Sequence, residues 1–313
     1  MAEDGIDLAR KALASIEPLS ALDANGVSID RLGGLTNLVF RVSDGSSAWC
    51  LRLPGAGTEE YINRADEAQA AREAAKAGVS PDVIYADAGS GVMVTRFIDG
   101  AVTMTPEAFG VRTGSPGRAA EAFKKLHSSG AKFNFRFELF SMIDEYLGIL
   151  SGKTVDLPDG YHDVLGEAEA VRAALQAHPL PSAACHCDPL CENFLDTGAR
   201  MWIVDWEYSG MNDPMWDLGD LSVEGGFSPE QDEEMIQAYF GGEPRADERG
   251  RIIIYKAMCD LLWTLWGLIQ HANDNPADDF WAYSVGRFER CKALMASPDF
   301  ARHVAAVAAG PGA

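Results

Sequence analysis

Apolar positions in the first hundred residues follow a period of two after a short amphipathic helix, which is predicted at residues 5–16. This period is typical of strands with one buried face. Strands are predicted at 28–32, 38–42, 48–54, 82–86 and 91–97. A strongly helical stretch at 58–77, stopped by Gly78, interrupts them. The pattern therefore predicts a small β-sheet lobe with one inserted helix.

The pattern becomes mostly helical beyond a break at Ile98-Asp99-Gly100. Residues 101–117, which are rich in Gly, Pro and Thr, are predicted to be a loop. Helices are predicted at 118–128, 138–150, 161–178, from Ser228 onward, at 247–272 and in two closing segments, the last started by Ser297-Pro298. We expect an α+β protein with two lobes, residues 1–97 and 98–313.

One predicted hairpin in the second lobe carries a concentration of polar chemistry. Two short strands, 194–195 and 201–204, are joined by a turn at 196–198. The hairpin brings Asn193 and Asp205 to neighbouring edges, and His186 and Asp188 lie just before it. Oxygen ligands of this kind suit Mg²⁺, which combines one or two carboxylates with substrate phosphates. Asp188 then remains as a candidate base, so the stretch favours phosphoryl transfer.

The net charge of the chain limits the classes of molecule that it can be expected to bind. Its 313 residues carry a formal net charge of −21. This charge argues against nucleic acid, which binds to basic patches. It suits a small cationic substrate, because a negative field concentrates cations, although a solvated acidic surface explains it equally well.

The apolar runs of the chain are too short to span a bilayer, and its start does not resemble a signal peptide. We therefore expect a cytoplasmic protein with no membrane partner. Whether it is a monomer or a homodimer is left open by the sequence.

Three cysteines around His186, namely Cys185, Cys187 and Cys191, raise the question of a zinc site. Zinc ligands usually come as two separated C-x-x-C pairs, whereas here the spacing is C-x-C-x-x-x-C and no second pair follows. The spacing favours reduced, inert thiols.

The first lobe offers a candidate phosphate-binding region. The glycine turn Gly33-Gly34-Leu35-Thr36-Asn37 stands between two predicted strands, where it could expose backbone N–H groups to phosphates or serve only as a turn. Arg52 lies between Leu51 and Leu53 in a predicted strand; it either faces outward or holds phosphates. Glu67 could pair with Arg52, or it could be one of several surface acids on its helix.

The long helix at 247–272 offers a candidate cation pocket. Asp260, Trp263, Trp266 or Gly267, and Gln270 fall on one stripe at i, i+3 spacing. A carboxylate beside two indoles can cage a quaternary ammonium ion through cation–π attraction. Tryptophans on a buried helix are also common core residues, and the pattern alone favours that interpretation.

Together these motifs resemble the choline/ethanolamine kinase family, including its bacterial choline-kinase-like branch, over about residues 25–270. GGLTNLVFRV is similar to the family's nucleotide loop, HCDPLCENFL to its catalytic loop and IVDWEYSGMNDPMWDLGDL to its metal segment. LLWTLWGLIQ resembles the tryptophan-bearing helix of choline kinases. Cys187 stands where small or amide residues are common in the family. The family is related to aminoglycoside phosphotransferases, so the resemblance implies a protein-kinase-like fold.

The resemblance also implies the roles of the catalytic loop. Asp188 would accept the proton of the substrate hydroxyl, and His186 would support the loop. Asn193 and Asp205 would hold Mg²⁺ on the phosphates of ATP, with Glu207 as a supporting or second-metal residue. The enzyme would therefore transfer the γ-phosphoryl group of ATP in line, which mostly requires positioning and charge neutralisation.

The remaining implied roles concern the two substrates. Arg52 would contact the phosphates, which also places it among the catalytic residues, and Glu67 would orient it. The residues implied to bind the nucleotide are Gly33, Gly34, Thr36, Asn37, Arg52, Glu67, Arg96, Phe97 and Asp99. The residues expected to bind the cationic substrate are Asp188, Glu224, Asp260, Trp263 and Trp266.

The expected substrate is choline, with ethanolamine, thiamine or an aminoglycoside as rivals. A trimethylammonium group is large and weakly hydrated, which suits an aromatic cage, whereas a primary ammonium prefers hydrogen-bond acceptors. The alternative from another class is a non-catalytic kinase-like protein that binds nucleotide.

Overall fold

The computed structural model describes residues 2–17, 19–22, 26–33, 37–55 and 62–312. Twelve α-helices lie in these ranges: α1 Ala2–Ala14, α2 Arg64–Lys76, α3 Pro106–Val111, α4 Ser115–His127, α5 Leu139–Ser151, α6 Tyr161–Glu167, α7 Glu169–Ala177, α8 Met215–Glu224, α9 Pro229–Phe240, α10 Ala246–Ala272, α11 Phe280–Met295 and α12 Phe300–Ala309. The expected α+β class with a protein-kinase-like arrangement is confirmed, since an N-terminal antiparallel sheet precedes a mostly helical remainder.

Ten strands in the described part of the chain form three sheets. They are β1 Ser28–Arg31, β2 Leu38–Ser43, β3 Ala48–Leu53, β4 Val83–Ala86, β5 Met93–Arg96, β6 Val102–Thr103, β7 Ala183–Cys185, β8 Phe194–Asp196, β9 Met201–Ile203 and β10 Gly210–Asn212. The large sheet has the order β1-β2-β3-β5-β4, and all its neighbours are antiparallel. A three-stranded sheet β6-β8-β9 contains the predicted hairpin, and β7 pairs with β10.

Several element boundaries differ from the sequence-based prediction. The helix expected at 58–77 begins at Arg64, because the Asn63 side chain caps it by accepting hydrogen bonds from the N–H groups of Ala65 and Asp66; residues 58–61 lie outside the described ranges. The expected helix at 161–178 is two helices that meet at Ala168, shortly after Gly166, a weak helix former.

The segment 101–117 was wrongly predicted as a loop. It contains β6, α3 and the start of α4. Pro106 and Pro116 were interpreted as loop signals, but each lies in the first turn of a helix. Backbone N–H groups in the first turn make no hydrogen bond within the helix, so proline is tolerated there. Helix α8 was also not predicted, because nine of its ten residues are buried and it shows no amphipathic period.

The buried apolar residues form two hydrophobic cores, and the larger one crosses the expected lobe boundary because it includes Ala71, Val79 and Met93. The smaller one packs α1 against the large sheet through residues such as Leu13, Phe40 and Leu51. The larger one surrounds α10, which packs against α5, α8, α11 and α12. Helix α8 approaches α10 closely at Gly219, where an added Cβ would lie 2.7 Å from the Ile252 carbonyl oxygen. The division into lobes at residue 97 stays a prediction.

Helix α10 is, within the described ranges, the single helix long and apolar enough to cross a membrane by length and composition. Of its most apolar window, 83% is buried inside the protein. Its composition therefore fits the central helix of a packed core.

A buried ion cluster secures the hairpin β8-β9 to the preceding helices. Asp196 is fully buried at the end of β8 and accepts hydrogen bonds from Arg118 (2.7 and 2.9 Å) and Arg112 (2.8 Å). Burial raises the pKa of Asp196, but the two guanidinium groups more than offset this and hold the pKa at about 2.

We expect Asp196→Ala to lower the free energy of unfolding by about 3–5 kcal/mol, because two guanidinium groups lose their buried partner. Urea denaturation at pH 7 would measure this. Asp299→Ala is the control, since Asp299 pairs with Arg302 on the surface and its loss should cost about 0–1 kcal/mol.

The pH dependence of stability gives a second test of this cluster. The folded-state pKa of Asp196 lies below the usual 3.8. The ionised Asp196 therefore contributes to the free energy of unfolding above about pH 4, and this contribution is lost as the pH falls towards 2. Equal costs for the variants at Asp196 and Asp299 would contradict the assignment.

Candidate active site

The hairpin places two predicted metal ligands side by side. Asn193 ends a short 3-10 turn directly before β8, and Asp205 follows β9 by two residues. The N–H of Val204 donates to the Asn193 carbonyl at 2.9 Å, which fixes the two segments together. The Asn193 amide nitrogen donates to the Asp188 carbonyl at 3.0 Å, so its amide oxygen remains as the acceptor.

Three carboxylates meet beside this hairpin. One oxygen from each of Glu67, Asp205 and Glu207 lies within 4.8 Å of the others, which is close enough to hold one metal ion. Asp205 has a left-handed backbone (φ 67°), which turns the chain sharply after β9. Burial and the neighbouring Glu207 raise the pKa of Asp205, and Arg52 opposes this rise.

Two arginines pair with the three carboxylates. Arg52 from β3 contacts Glu67, and its distances to Glu207 and Asp205 are 3.1 and 3.4 Å. Arg64 from the first turn of α2 lies 2.8 Å from Glu67 and 2.6 Å from Glu207. Burial lowers the pKa of Arg52, but Glu67 and the other two carboxylates more than offset this, so the pKa lies above its usual value.

This arrangement decides between the two interpretations of Arg52 and Glu67. Arg52 is 9% exposed and Glu67 is 2% exposed, so neither is a surface residue. They form the predicted pair.

The loop that follows β7 is held by a residue that sequence reasoning did not single out. The carboxylate of Asp217, in the first turn of α8, accepts hydrogen bonds from the N–H groups of His186 and Cys187, both at 2.8 Å. It also accepts one from His127 Nε2 at 3.0 Å. The Trp216 indole N–H donates to the Cys187 carbonyl at 3.0 Å. The loop backbone is therefore fixed from three directions.

Cys187 adopts a left-handed backbone conformation (φ 69°). Glycine and asparagine tolerate this region best, which fits the small or amide residues expected at this position in the family. Cys185, Cys187 and Cys191 are buried free thiols. Burial raises their pKa values, so the thiols stay protonated and unreactive.

His186 is fully buried and supports the loop. Its Nε2–H donates to the Val204 carbonyl at 2.9 Å, and its ring packs against Trp206. Burial lowers its pKa, which keeps the imidazole neutral. In this geometry it connects the loop to the strand end that carries Asp205.

Asp188 is half-buried in the loop that follows β7, where its backbone carbonyl accepts the Asn193 amide N–H. Its removal from bulk water and the nearby Glu224 raise its pKa to about 7, while Arg287 opposes the rise and Glu207 adds to it. The pKa of Asp188 therefore depends on charged groups of the carboxylate cluster and on Glu224 and Arg287.

The predicted cation pocket has a different charge arrangement from the one expected. Asp260 is fully buried and is bound by Arg287 (3.1 Å) and Arg290 (2.6 and 2.7 Å). Glu224 also pairs with Arg287. The expectation that Asp260 faces a substrate ammonium is therefore wrong, because two guanidinium groups already surround its carboxylate. Glu224 keeps its place near Asp188 but shares its charge with Arg287.

The two tryptophans lie in an aromatic group. The Trp263 indole N–H donates to Asp220 Oδ2 at 3.2 Å, and its ring meets that of Tyr208 edge to face. The Trp266 indole N–H donates to the Tyr208 hydroxyl at 2.8 Å, and its ring packs against that of Tyr283. Trp263 is 4% exposed, so it is part of the core wall behind this region.

The predicted nucleotide-binding residues are only partly described. Gly34 and Thr36 lie outside the described residues, and Gly33 is exposed. Asn37 is buried, donates to Glu207 at 2.9 Å and accepts from the Gly55 N–H at 3.2 Å. It therefore connects the turn to the carboxylate cluster.

The predicted linker residues lie at the end of β5. Arg96 is exposed and lies 3.5 Å from Asp82, and Asp99 is exposed and lies 3.8 Å from Arg41. The Arg41 guanidinium also lies over the Phe97 ring. These side chains are available at the edge of the large sheet.

Comparison with known proteins identifies the chain. Residues 29–249 match the phosphotransferase enzyme family, which is more than half of the sequence. The chain belongs to this family. The solved structure of a choline/ethanolamine kinase family protein from Mesorhizobium loti is 68% identical, with a TM-score of 0.89 over 98% of this chain and 100% of that one. The predicted family resemblance is therefore confirmed.

Two further relatives of this phosphotransferase are more distant. The structure of the choline kinase LicA from Streptococcus pneumoniae is 26% identical, with a TM-score of 0.76 over 93% of this chain and 98% of that one. A structure of LicA in complex with AMP is also 26% identical, with a TM-score of 0.73 over 93% of this chain and 97% of that one. The phosphotransferase is thus similar to choline kinases along almost its whole length.

Sequence reasoning missed several residues of the phosphotransferase site: Arg64, Tyr208, Asp217, Asp220, Tyr283, Arg287 and Arg290. Asp217 and Asp220 stand in the quoted segment WDLGDL, where their i, i+3 spacing on one helix face was an available signal. Arg287 and Arg290 lie in the C-terminal region, which offered no motif, and only the packing of α11 on α10 brings them to Asp260.

We expect Asp217→Asn to loosen the loop, because one carboxamide oxygen cannot accept from two backbone N–H groups and a histidine. Hydrogen exchange of the His186 and Cys187 amides should accelerate by about tenfold or more. Asp163→Asn, at an exposed position of α6, is the matched control. Unchanged exchange in Asp217→Asn would show that the loop is held by other contacts.

Proposed function

We propose that this phosphotransferase transfers the γ-phosphoryl group of ATP to the hydroxyl of a small cationic amino alcohol, and that choline is the preferred acceptor. The observation that carries the proposal is the position of Asp188. Asp188 follows β7 in the loop bound to Asn193, and its half-buried carboxylate is influenced both by Glu207 of the carboxylate cluster and by Glu224 with Arg287. The Asp188 carboxylate can thus act between a phosphate donor and a cationic acceptor.

Mg²⁺ fits the oxygen donors beside the hairpin. The Asn193 amide oxygen and the Asp205 carboxylate would hold it, and Glu207 is close enough to support it. Hard oxygen ligands of this type are those that Mg²⁺ prefers. When bound, the ion would neutralise charge on the phosphate oxygens. Glu67 also lies in this cluster, but Arg52 and Arg64 already bind it.

Nucleotide binding is supported by the first lobe. Arg52 is fixed by Glu67 and projects towards the carboxylate cluster, where the phosphates of ATP need a cation. Phe97 and its neighbours Arg96 and Asp99 form the strand end proposed to lie near the adenine. The AMP complex of LicA, whose fold this chain shares, supports nucleotide binding by this protein.

Asp188 would orient the acceptor hydroxyl and take its proton. Transfer of a phosphoryl group passes through a loose transition state, so the hydroxyl loses its proton late and positioning contributes most of the catalysis. His186 and Asp217 act on the reaction through the loop, because they fix the backbone that carries Asp188. Arg52 would stabilise the negative charge on the transferred group.

The acceptor cation is proposed to lie near the aromatic group of Trp263, Trp266, Tyr208 and Tyr283. Aromatic faces attract a trimethylammonium by about 0.5–2 kcal/mol each, whereas a primary ammonium loses more by leaving water. Glu224 would contribute to the acidic side of this region. Choline is therefore favoured over ethanolamine, and thiamine or an aminoglycoside are weaker candidates. A cytoplasmic location and a monomeric or homodimeric state stay predictions.

ADP release with ATP, Mg²⁺ and a panel of amino alcohols tests the function. We expect the highest kcat/KM with choline, and we expect Asp188→Asn to lower kcat by about a hundredfold or more while ATP binding stays within threefold. Exposed Asp144→Asn on α5 is the control. ATP binding without ADP release for any acceptor would favour the non-catalytic alternative.

Trp263→Ala tests the cation pocket. We expect the KM for choline to rise by about tenfold or more while the KM for ATP changes little, because the lost ring acts on the cation alone. Trp281→Ala, a partly exposed tryptophan on α11, is the matched control. If both KM values rise together, Trp263 has only a core role.

A further inference from the structure

Asp220 is a buried carboxylate that has no role in the proposed phosphoryl transfer. It lies on α8 one turn before Glu224 and is 0% exposed. Its Oδ2 accepts the indole N–H of Trp263 at 3.2 Å. Its Oδ1 is buried and has no hydrogen-bond partner among the described residues. A buried carboxylate with one free oxygen is costly, so its retention calls for a compensating interaction.

Two other carboxylates of this region, Asp260 and Glu224, are paired with arginines. Asp260 is bound by Arg287 and Arg290, and Glu224 by Arg287. The field of an ion pair falls off faster with distance than that of a single charge. Asp220 has no ion pair with any cation among the described residues, although Arg287 lies close enough to influence it. Burial and the neighbouring Glu224 raise the pKa of Asp220, and Arg287 opposes the rise. A cation bound beside Trp263 would stabilise the ionised form of Asp220, which has no ion pair of its own among the described residues.

Asp220 also acts on the indole ring itself. An indole N–H that donates to a carboxylate leaves the ring more electron-rich than one that donates to a neutral group. The face of such a ring attracts a cation more strongly, because cation–π attraction depends on the negative potential of that face. The buried position of the pair limits screening by water and salt.

We propose that Asp220 sets the preference of the enzyme for an acceptor that carries a permanent positive charge, and that it acts through Trp263. Asp220 is thus a positioning and specificity-determining residue, without direct contact to the acceptor. The inference rests on the proposed function, because it assumes that the acceptor cation lies beside Trp263. It adds that charge, rather than shape, selects the acceptor.

The experiment compares choline with neohexyl alcohol, its neutral isostere, in which a carbon replaces the quaternary nitrogen. Both have the same shape and the same primary hydroxyl. Asp220→Asn keeps the size of the side chain and an oxygen for the Trp263 N–H, but it removes the charge. We expect this variant to lower the ratio of kcat/KM for choline over the isostere by about tenfold or more, mainly through the KM of choline.

Other readouts separate this role from a structural one. The KM for ATP and the kcat/KM of the neutral isostere should stay within about twofold of wild type, and the thermal midpoint should match that of wild type. Asp144→Asn is again the control, because it removes the same charge from an exposed position. A variant that weakened the fold would lower the activity with both acceptors.

A double-mutant cycle tests the path through the indole. Trp263→Phe keeps an aromatic ring but has no N–H to donate. Asp220→Asn should change the ratio of kcat/KM for choline over the isostere less in the Trp263→Phe background than in wild type, because the two residues act together. Full additivity would overturn the path through Trp263.

Three outcomes would overturn the proposal while leaving the proposed function intact. One is an unchanged choline ratio in Asp220→Asn. Another is an equal loss of activity with both acceptors. Loss of the ratio in Glu224→Gln alone would also overturn it, since the cation would then rest on Glu224. Failure of the wild-type enzyme to phosphorylate any cationic alcohol would instead contradict the proposed function.

Discussion

The carboxylate of Asp217 is the contact on which the candidate site depends. It is fully buried, and it accepts two backbone N–H groups from the loop that carries Asp188. The loop needs such a partner because Cys187 lies in the left-handed region, which costs a non-glycine residue roughly 1–2 kcal/mol. Charge-assisted hydrogen bonds in a buried setting offset that cost. The geometry of the site therefore originates in the first turn of α8, outside the loop itself.

Charge compensation is the second constraint on this acidic protein. Near the hairpin, Arg52 and Arg64 hold three carboxylates together, and in the helical region Arg287 and Arg290 do the same for Glu224 and Asp260. Buried carboxylates at these distances would otherwise raise one another's pKa and lose their charge. In the first cluster, Arg52 opposes the rise in the pKa of Asp205 that burial and Glu207 cause. In the second region, Arg287 and Arg290 leave Asp220 as the carboxylate whose charge would be least compensated.

The sequence was sufficient for most of the strands and helices where a clear period was present. The five strands of the large sheet and the hairpin β8-β9 show alternation or strong turn signals, and α10 shows a long apolar stretch. The stretch 101–117 and helix α8 were missed for opposite reasons. Proline starts helices as well as breaking them, and a helix buried on all sides has no amphipathic pattern.

The sequence by itself determined the family, the type of fold and the residues of the hairpin site, because those residues stand close together in ordered motifs. Tertiary structure alone decided which carboxylates are paired with an arginine. Asp260 and Asp220 look equivalent as acids on buried helices, yet α11 brings two arginines to the first and none to the second. The reason is physical: a charge is compensated by neighbours in space, and residues 287 and 290 are nearly thirty positions from Asp260 and nearly seventy from Asp220 along the chain.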